Sequence, residues 1–252
     1  MGRPEVRRER DLIDRGPRQP LPRRAKLDFT LGHLEGLGRR TDSVPCYSPR
    51  VLIVMTRVPE PGTTKTRLIP RLGPAGAARL AAAMTADLLD TVRATGLRFR
   101  VALDGDVRHP WVRTLDCEWE PQVSGDLGRR LSHALRDGGV AVGSDAPTLP
   151  AALLHEAHAS TADVVISPAF DGGYVLVGVS DPSDIFELVP WSSPETYARQ
   201  HQRALDLGRS VRVLPFWYDV DGPEDVDFLV NHLRTLPEKV APRTRSFLSA
   251  ER

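Results

Sequence analysis

Cysteine is nearly absent: the 252 residues contain only Cys46 and Cys117, far apart and in no CxxC pair. That excludes a disulfide framework or a zinc–cysteine cluster as the basis of the fold. No apolar run approaches the roughly 18 residues that a membrane-spanning helix requires, and the amino terminus lacks the apolar centre of a secretory signal. A cytoplasmic protein without a membrane partner is expected. Catalytic signatures are missing too. No G-x-S-x-G nucleophile elbow occurs. "HEAH" at 155–158 is one residue short of zinc-protease spacing, so His155 and His158 read as a solvated helix face. In "PEPGTTKTRL" (59–68) the lysine follows Thr64 where a Walker phosphate loop needs glycine. No internal repeat is visible.

The composition, 40 % hydrophobic and 27 % charged, is that of an ordinary globular chain. Net charge is only +1, but arginines crowd the first 50 residues with prolines among them. Residues 1–48 are therefore expected to form a disordered or loosely attached basic extension, because they bury too little apolar surface to offset their ordering entropy. A nucleic-acid arm is the alternative. Acidic residues interrupt the basic ones and no aromatics interleave with them as a single-strand binder requires, so no nucleic-acid partner is expected.

From Val51 onward, apolar runs alternate with helical patterns, the mark of an α/β chain with a mostly parallel sheet flanked by helices. "VLIVM" at 51–55 is continuously apolar, as a strand covered on both faces should be, and "FRVAL" and "GVAVG" read as the second and third strands. Gly73 and Pro74 open a helix with Ala77, Ala81, Met84, Leu88 and Val92 on one side. "DVVISPAF" and "GYVLVGV" read as a hairpin across Asp171, Gly172 and Gly173. Helices follow over 193–208 and 223–236, with "VRVLPFWYDV" as the strand between them. One domain spans 49–240, and 241–252 reads as a flexible tail.

In such a sheet, ligands sit beyond the carboxyl ends of the strands. Four places qualify. After the first strand, Pro61, Gly62, Thr63 and Thr64 form a turn with backbone and hydroxyl donors, and Lys65 and Arg67 supply cations that suit a phosphate. A solvated loop would have the same composition. After "VAVG", Asp145 stands at a strand tip, where it either holds Mg²⁺ or Mn²⁺ or makes an ordinary turn. Gly172 and Gly173 are explained by the hairpin, yet they also let a backbone approach a ligand closely beside Asp171. In "YDVDGPED", Asp219 and Asp221 point the same way and repel unless a cation or water lies between them. Together these describe a site for a nucleoside diphosphate and a divalent metal. Trp191 in "PWSSPE" reads as a core aromatic or a lid over that cleft.

The ordered motifs "VLIVMTRVPEPGTTKTRL", "GDLGRRL", "VGSDAPTLP", "SPAFDGGYVLVGV", "VPWSS" and "YDVDGPEDV" resemble the DUF2064 family, also called radical-SAM/selenodomain-associated transferase 1. Some members are named arsenosugar biosynthesis glycosyltransferases. The resemblance covers about residues 50–232. It implies a GT-A, nucleotide-diphospho-sugar transferase fold, with the 59–67 turn around the nucleotide phosphates through Lys65 and Arg67. It also implies Asp145 as the metal-binding aspartate, and Asp219 or Asp221 as the late acidic ligand. Ala146 stands where family members often carry cysteine, and Phe170 where a polar residue is common.

The resulting expectation is a Mg²⁺- or Mn²⁺-dependent glycosyltransferase that moves a sugar from a nucleoside diphosphate sugar to a small acceptor, with Asp171 as the acceptor base. Two alternatives stay open. One is a nucleotidyltransferase that takes a nucleoside triphosphate and releases pyrophosphate; the other is a nucleotide-binding module without turnover. The sequence leaves the oligomeric state unspecified.

Overall fold

A computed structural model describes residues 50–251, all within the compact unit Tyr47–Arg252. The basic extension expected over 1–48, and Cys46 with it, lies outside the described residues. The seven strands are β1 (Leu52–Arg57), β2 (Phe99–Asp104), β3 (Trp119–Pro121), β4 (Gly139–Gly143), β5 (Val164–Pro168), β6 (Tyr174–Val179) and β7 (Val211–Val213). They form one sheet in the order β3-β2-β1-β4-β6-β5-β7. Every pairing is parallel except those of β6, which runs antiparallel to β4 and β5.

Why the central strands are apolar without interruption is plain from the packing. Successive strand side chains point to opposite faces. Leu52 and Val54 of β1 enter one core with Leu88, Leu154 and Val101, while Ile53 enters the other with Leu131, Leu135 and Val177. The helices that cover these faces are α1 (Ile69–Ala94), α2 (Leu127–Ala134), α3 (Ala151–His158) and α4 (Thr196–Asp206). α1 is kinked at Gly73, with φ 68° and ψ 166°, so its regular part begins at Pro74 as expected.

A third apolar cluster joins the start of α1 to α5 (Pro223–Thr235) and α6 (Pro242–Ala250) through Leu80, Val226, Leu233 and Leu248. Here the structure differs from the expected tail over 241–252. Asp87 of α1, only 2 % exposed, accepts from the backbone N–H groups of Arg243 (3.1 Å) and Thr244 (2.7 Å). A carboxylate from another helix thus satisfies the first-turn donors of α6 and favours its dipole. Residues 223–236 and 211–220 also differ in extent: α5 ends at Thr235, and β7 stops at Val213 because Pro215 cannot donate to the ladder. Trp217 still donates to Pro168 O at 3.0 Å, so the chain runs on beside β5 toward the acidic stretch.

Candidate active site

The turn after β1 is held from within. Thr63 and Thr64 both donate their N–H groups to Glu60 O, and the Thr64 hydroxyl donates to Val58 O at 2.9 Å. The Thr63 hydroxyl also donates to Glu60 O. The donors expected to meet a phosphate therefore close the loop on itself instead. A hydroxyl at 64, where the Walker loop has glycine, is what makes this closure possible. Lys65 then takes a left-handed backbone (φ 49°, ψ 49°), which is uncommon for a residue with a side chain.

Lys65 Nζ reaches Asp145 Oδ2 at 3.0 Å and Asp221 Oδ1 at 2.5 Å, and Arg67 reaches Asp221 Oδ2 at 3.3 Å. The tip of β4 meets the late acidic stretch through a backbone bond from Val220 N–H to Asp145 O, 2.9 Å. Next to it, the Thr148 hydroxyl donates to the Tyr218 hydroxyl at 2.9 Å. Ser144 donates to the Thr56 hydroxyl at 2.8 Å and so ties β4 to β1. Loop, strand tip and acidic stretch line one cavity of about 720 Å³, together with Asp171, Gly173 and Trp191.

Charge is unevenly compensated here. Burial alone would lower the Lys65 pKa, but Asp145 and Asp221 outweigh it and hold the ammonium well above its usual range. Burial likewise opposes ionisation of Asp221, yet Lys65 and Arg67 keep its carboxyl below the ordinary carboxylate range. Among the described residues, Asp219 has no such cationic partner. Burial first, then the charges of Asp145 and Asp171, push it up to about 7.

A carboxyl whose native pKa lies above its unfolded value of about 3.9 adds stability at low pH and loses it as pH rises through the native value. The Asp219→Asn variant should therefore gain on the wild type by about 1.4 kcal/mol per pH unit as pH rises from about 4 to about 7, and hold a constant lead of several degrees above that. Melting curves across that range check this; a pH-independent difference would mean that Asp219 is ionised throughout.

Do these residues fit a divalent metal? Among the described residues, no group of three or more His, Cys, Asp or Glu side chains is arranged to hold an ion unaided. Mg²⁺ is commonly held by one or two carboxylates, with water and substrate phosphates completing its shell. Asp145 and the under-compensated Asp219 are oxygen donors of that kind on one cavity, so the fit is to a metal shared with a ligand. Asp221 already serves Lys65 and Arg67.

Other expected residues are placed differently. Pro61, Gly62 and Gly172 do not line the cavity. What approaches Gly172 closely is the chain itself: with φ +89°, its missing Cβ would lie 2.1 Å from the Pro194 carbonyl oxygen. Asp171 lines the cavity, and its Oδ1 accepts from Gly173 N–H at 2.8 Å. Trp191 is half-buried against Phe186 and also forms part of the cavity wall, so both readings of it hold in part.

Sequence reasoning missed a second charged group on the rim. Arg57 and Arg130 share Asp104 at 2.7 and 2.9 Å, and Arg57 also donates to Thr63 O of the loop. Burial opposes ionisation of Asp104, but the two guanidinium groups lower its pKa. The motif "GDLGRRL" contains Arg130, while its partner stands at the end of β2 with no local mark.

No curated protein matches the chain. Among solved structures, a "putative nucleotide-diphospho-sugar transferase" from Desulfovibrio desulfuricans G20 is 28 % identical, with a TM-score of 0.74 over 81 % of this chain and 95 % of that one. CMP:2-keto-3-deoxy-manno-octonic acid synthetase complexed with CTP is 12 % identical with a TM-score of 0.48, over 75 % of this chain and all of the other. Rv0371c from Mycobacterium tuberculosis H37Rv, in complex with manganese, is 16 % identical with a TM-score of 0.40, over 73 % and 100 %. Residues 85–193 match the family model DUF2064, "Uncharacterized protein conserved in bacteria". That segment contains Asp145 and Asp171 but starts after Lys65 and ends before Asp219. Among the described residues, no helix is long and apolar enough to cross a membrane. The chain thus has the α/β fold of the nucleotide-diphospho-sugar transferases and carries the DUF2064 match, as its ordered motifs indicated, over residues 85–193.

Proposed function

We propose that the protein is a transferase acting on a nucleotide-activated donor and, within that class, a glycosyltransferase that moves a sugar from a nucleoside diphosphate sugar to a small acceptor. One observation carries the reading: Lys65 and Arg67 converge with Asp145, Asp219 and Asp221 on a single cavity at the strand ends. The likeness to the "putative nucleotide-diphospho-sugar transferase" at 28 % identity supports it.

A Mg²⁺ or Mn²⁺ ion on Asp145 and Asp219 would supply fixed positive charge beside the leaving diphosphate. The protein's own groups do the rest. The acceptor hydroxyl oxygen bonds to the anomeric carbon, the bond from that carbon to the diphosphate oxygen breaks, and its electron pair leaves with the diphosphate. Lys65 and Arg67 stabilise the negative charge that grows there. Asp171, fixed by Gly173 N–H, takes the proton from the acceptor hydroxyl. Trp191 in the cavity wall limits water, which would otherwise compete as acceptor.

A thermal-shift screen of nucleotides and nucleotide sugars, each with and without Mn²⁺, identifies the donor, because a ligand of the native state raises the melting point. Incubating that donor with candidate acceptors should then release a nucleoside diphosphate. Pyrophosphate released from a triphosphate would instead mark a nucleotidyltransferase. A Mn²⁺-dependent shift with no product from any candidate would favour the binding module.

A further inference from the structure

Lys65 occupies an unusual place for a phosphate-binding cation. Its ammonium group lies between Asp145 and Asp221 at 3.0 and 2.5 Å, with the side chain only 12 % exposed. Arg67, 73 % exposed and 3.3 Å from Asp221 alone, does not duplicate that contact. A group pinned this way cannot at the same time face a diphosphate in the open cavity. Nor can the Asp145 oxygen that holds it be given fully to a metal.

We infer that Lys65 is an internal counter-ion that keeps the metal position filled in the free protein and moves onto the diphosphate when cation and diphosphate enter together. The inference rests on the proposed reading of the cavity and deepens it, since it assigns the bound species: a divalent metal–diphosphate complex, not a bare metal followed by a nucleotide.

Charge balance gives the reason. Lys65 and Arg67 stand against Asp145, Asp219 and Asp221, so with all three carboxylates ionised this group carries one net negative charge. A bare divalent cation gains Asp145 only by taking one of the two carboxylates that hold Lys65, and it then sits beside a largely covered ammonium that Asp221 still holds in place. A cation arriving with a diphosphate brings the replacement partner itself. The Asp145–Lys65 contact is then exchanged for Asp145–metal and Lys65–phosphate contacts, and no charge is left unpaired. Metal and diphosphate must consequently raise one another's affinity, by the same factor in either direction. The loop is built for such a movement of one side chain: Thr63 and Thr64 hold its backbone shape through their own bonds to Glu60 and Val58, so Lys65 can turn without unravelling the turn.

The test uses the full-length protein, Mn²⁺ and inorganic pyrophosphate, a probe that needs no knowledge of the base or sugar. Protein-bound Mn²⁺ is followed by electron paramagnetic resonance, corrected for Mn²⁺–pyrophosphate in solution. In the wild type, saturating pyrophosphate should tighten Mn²⁺ binding about tenfold or more. Lys65→Met should bind Mn²⁺ alone about tenfold more tightly than the wild type, and pyrophosphate should then add little. If Lys65→Met loses its melting transition, Lys65→Met with Asp221→Asn removes the repulsion between the bared carboxylates and serves the same comparison. Unchanged Mn²⁺ affinity in these variants, with wild-type binding still abolished by Asp145→Asn, would overturn the counter-ion inference and leave the metal site standing. Mn²⁺ binding that ignores Asp145 altogether would overturn both.

Discussion

Asp145→Asn is expected to lower turnover about a hundred- to a thousandfold, the scale seen when one preorganised electrostatic contact to a transition state is lost. Asn keeps the side-chain shape, and the backbone carbonyl of 145 still accepts from Val220 N–H. Lys65 also keeps Asp221 at 2.5 Å, so no buried charge is left alone. The melting point should therefore change by only a few degrees while the Mn²⁺-dependent shift with donor disappears. Product formation from the donor found by thermal shift measures the first effect. Turnover within threefold of wild type would place the chemistry away from β4.

Gly172→Ala should destabilise the domain by about 3 kcal/mol or more, in the range reserved for strained or overpacked sites. Two costs combine. The φ of +89° disfavours any side chain, and the new Cβ would lie 2.1 Å from Pro194 O and 2.5 Å from Pro194 C, both backbone atoms. Relief requires moving the 190–195 segment, which also holds Trp191 at the cavity wall, or giving up the bond in which Gly172 O accepts from Tyr197 N–H. Gly62→Ala is the matched control: it has a similar φ of +88° but open space around the missing Cβ, so only the conformational cost of about 1 kcal/mol remains. Urea unfolding of the two variants checks the contrast. Equal losses would mean that the 190–195 segment yields freely.

Much of the layout was legible before any coordinates. β1, β2, β4, β5 and β6 announce themselves by short, largely apolar runs, as strands covered on both faces require, and the hairpin turn at Asp171–Gly173 is where the Gly pair placed it. β3 was not legible. It is three residues at the sheet edge, exposed at both ends, with neither alternation nor an apolar run to mark it. α6 was missed for a different reason: what stabilises it is Asp87, 156 residues before Arg243 in sequence, so no local pattern announces it.

The site divides in the same way. Residue type and position just past a strand pointed to Lys65, Asp145, Asp219 and Asp221, and the structure brings them onto one cavity. Which charge faces which could not be read. Lys65 is expected from the sequence to face phosphate, and in the structure it faces two carboxylates, because the left-handed turn at 65 and the bond from Val220 to Asp145 fix their geometry. The Thr63 and Thr64 donors, expected on the ligand, serve the loop instead, because the chain turns back within six residues onto Val58 and Glu60.

The position of the metal relative to the diphosphate decides whether Asp145 and Lys65 act as proposed. Crystals grown with Mn²⁺ and a nucleoside diphosphate, measured at the manganese absorption edge, would locate the ion by its anomalous signal. The expected map has one peak within coordination distance of Asp145 and of a diphosphate oxygen, with Lys65 turned from Asp145 onto the phosphate. A diphosphate bound elsewhere, with Lys65 still seated between Asp145 and Asp221, would contradict it.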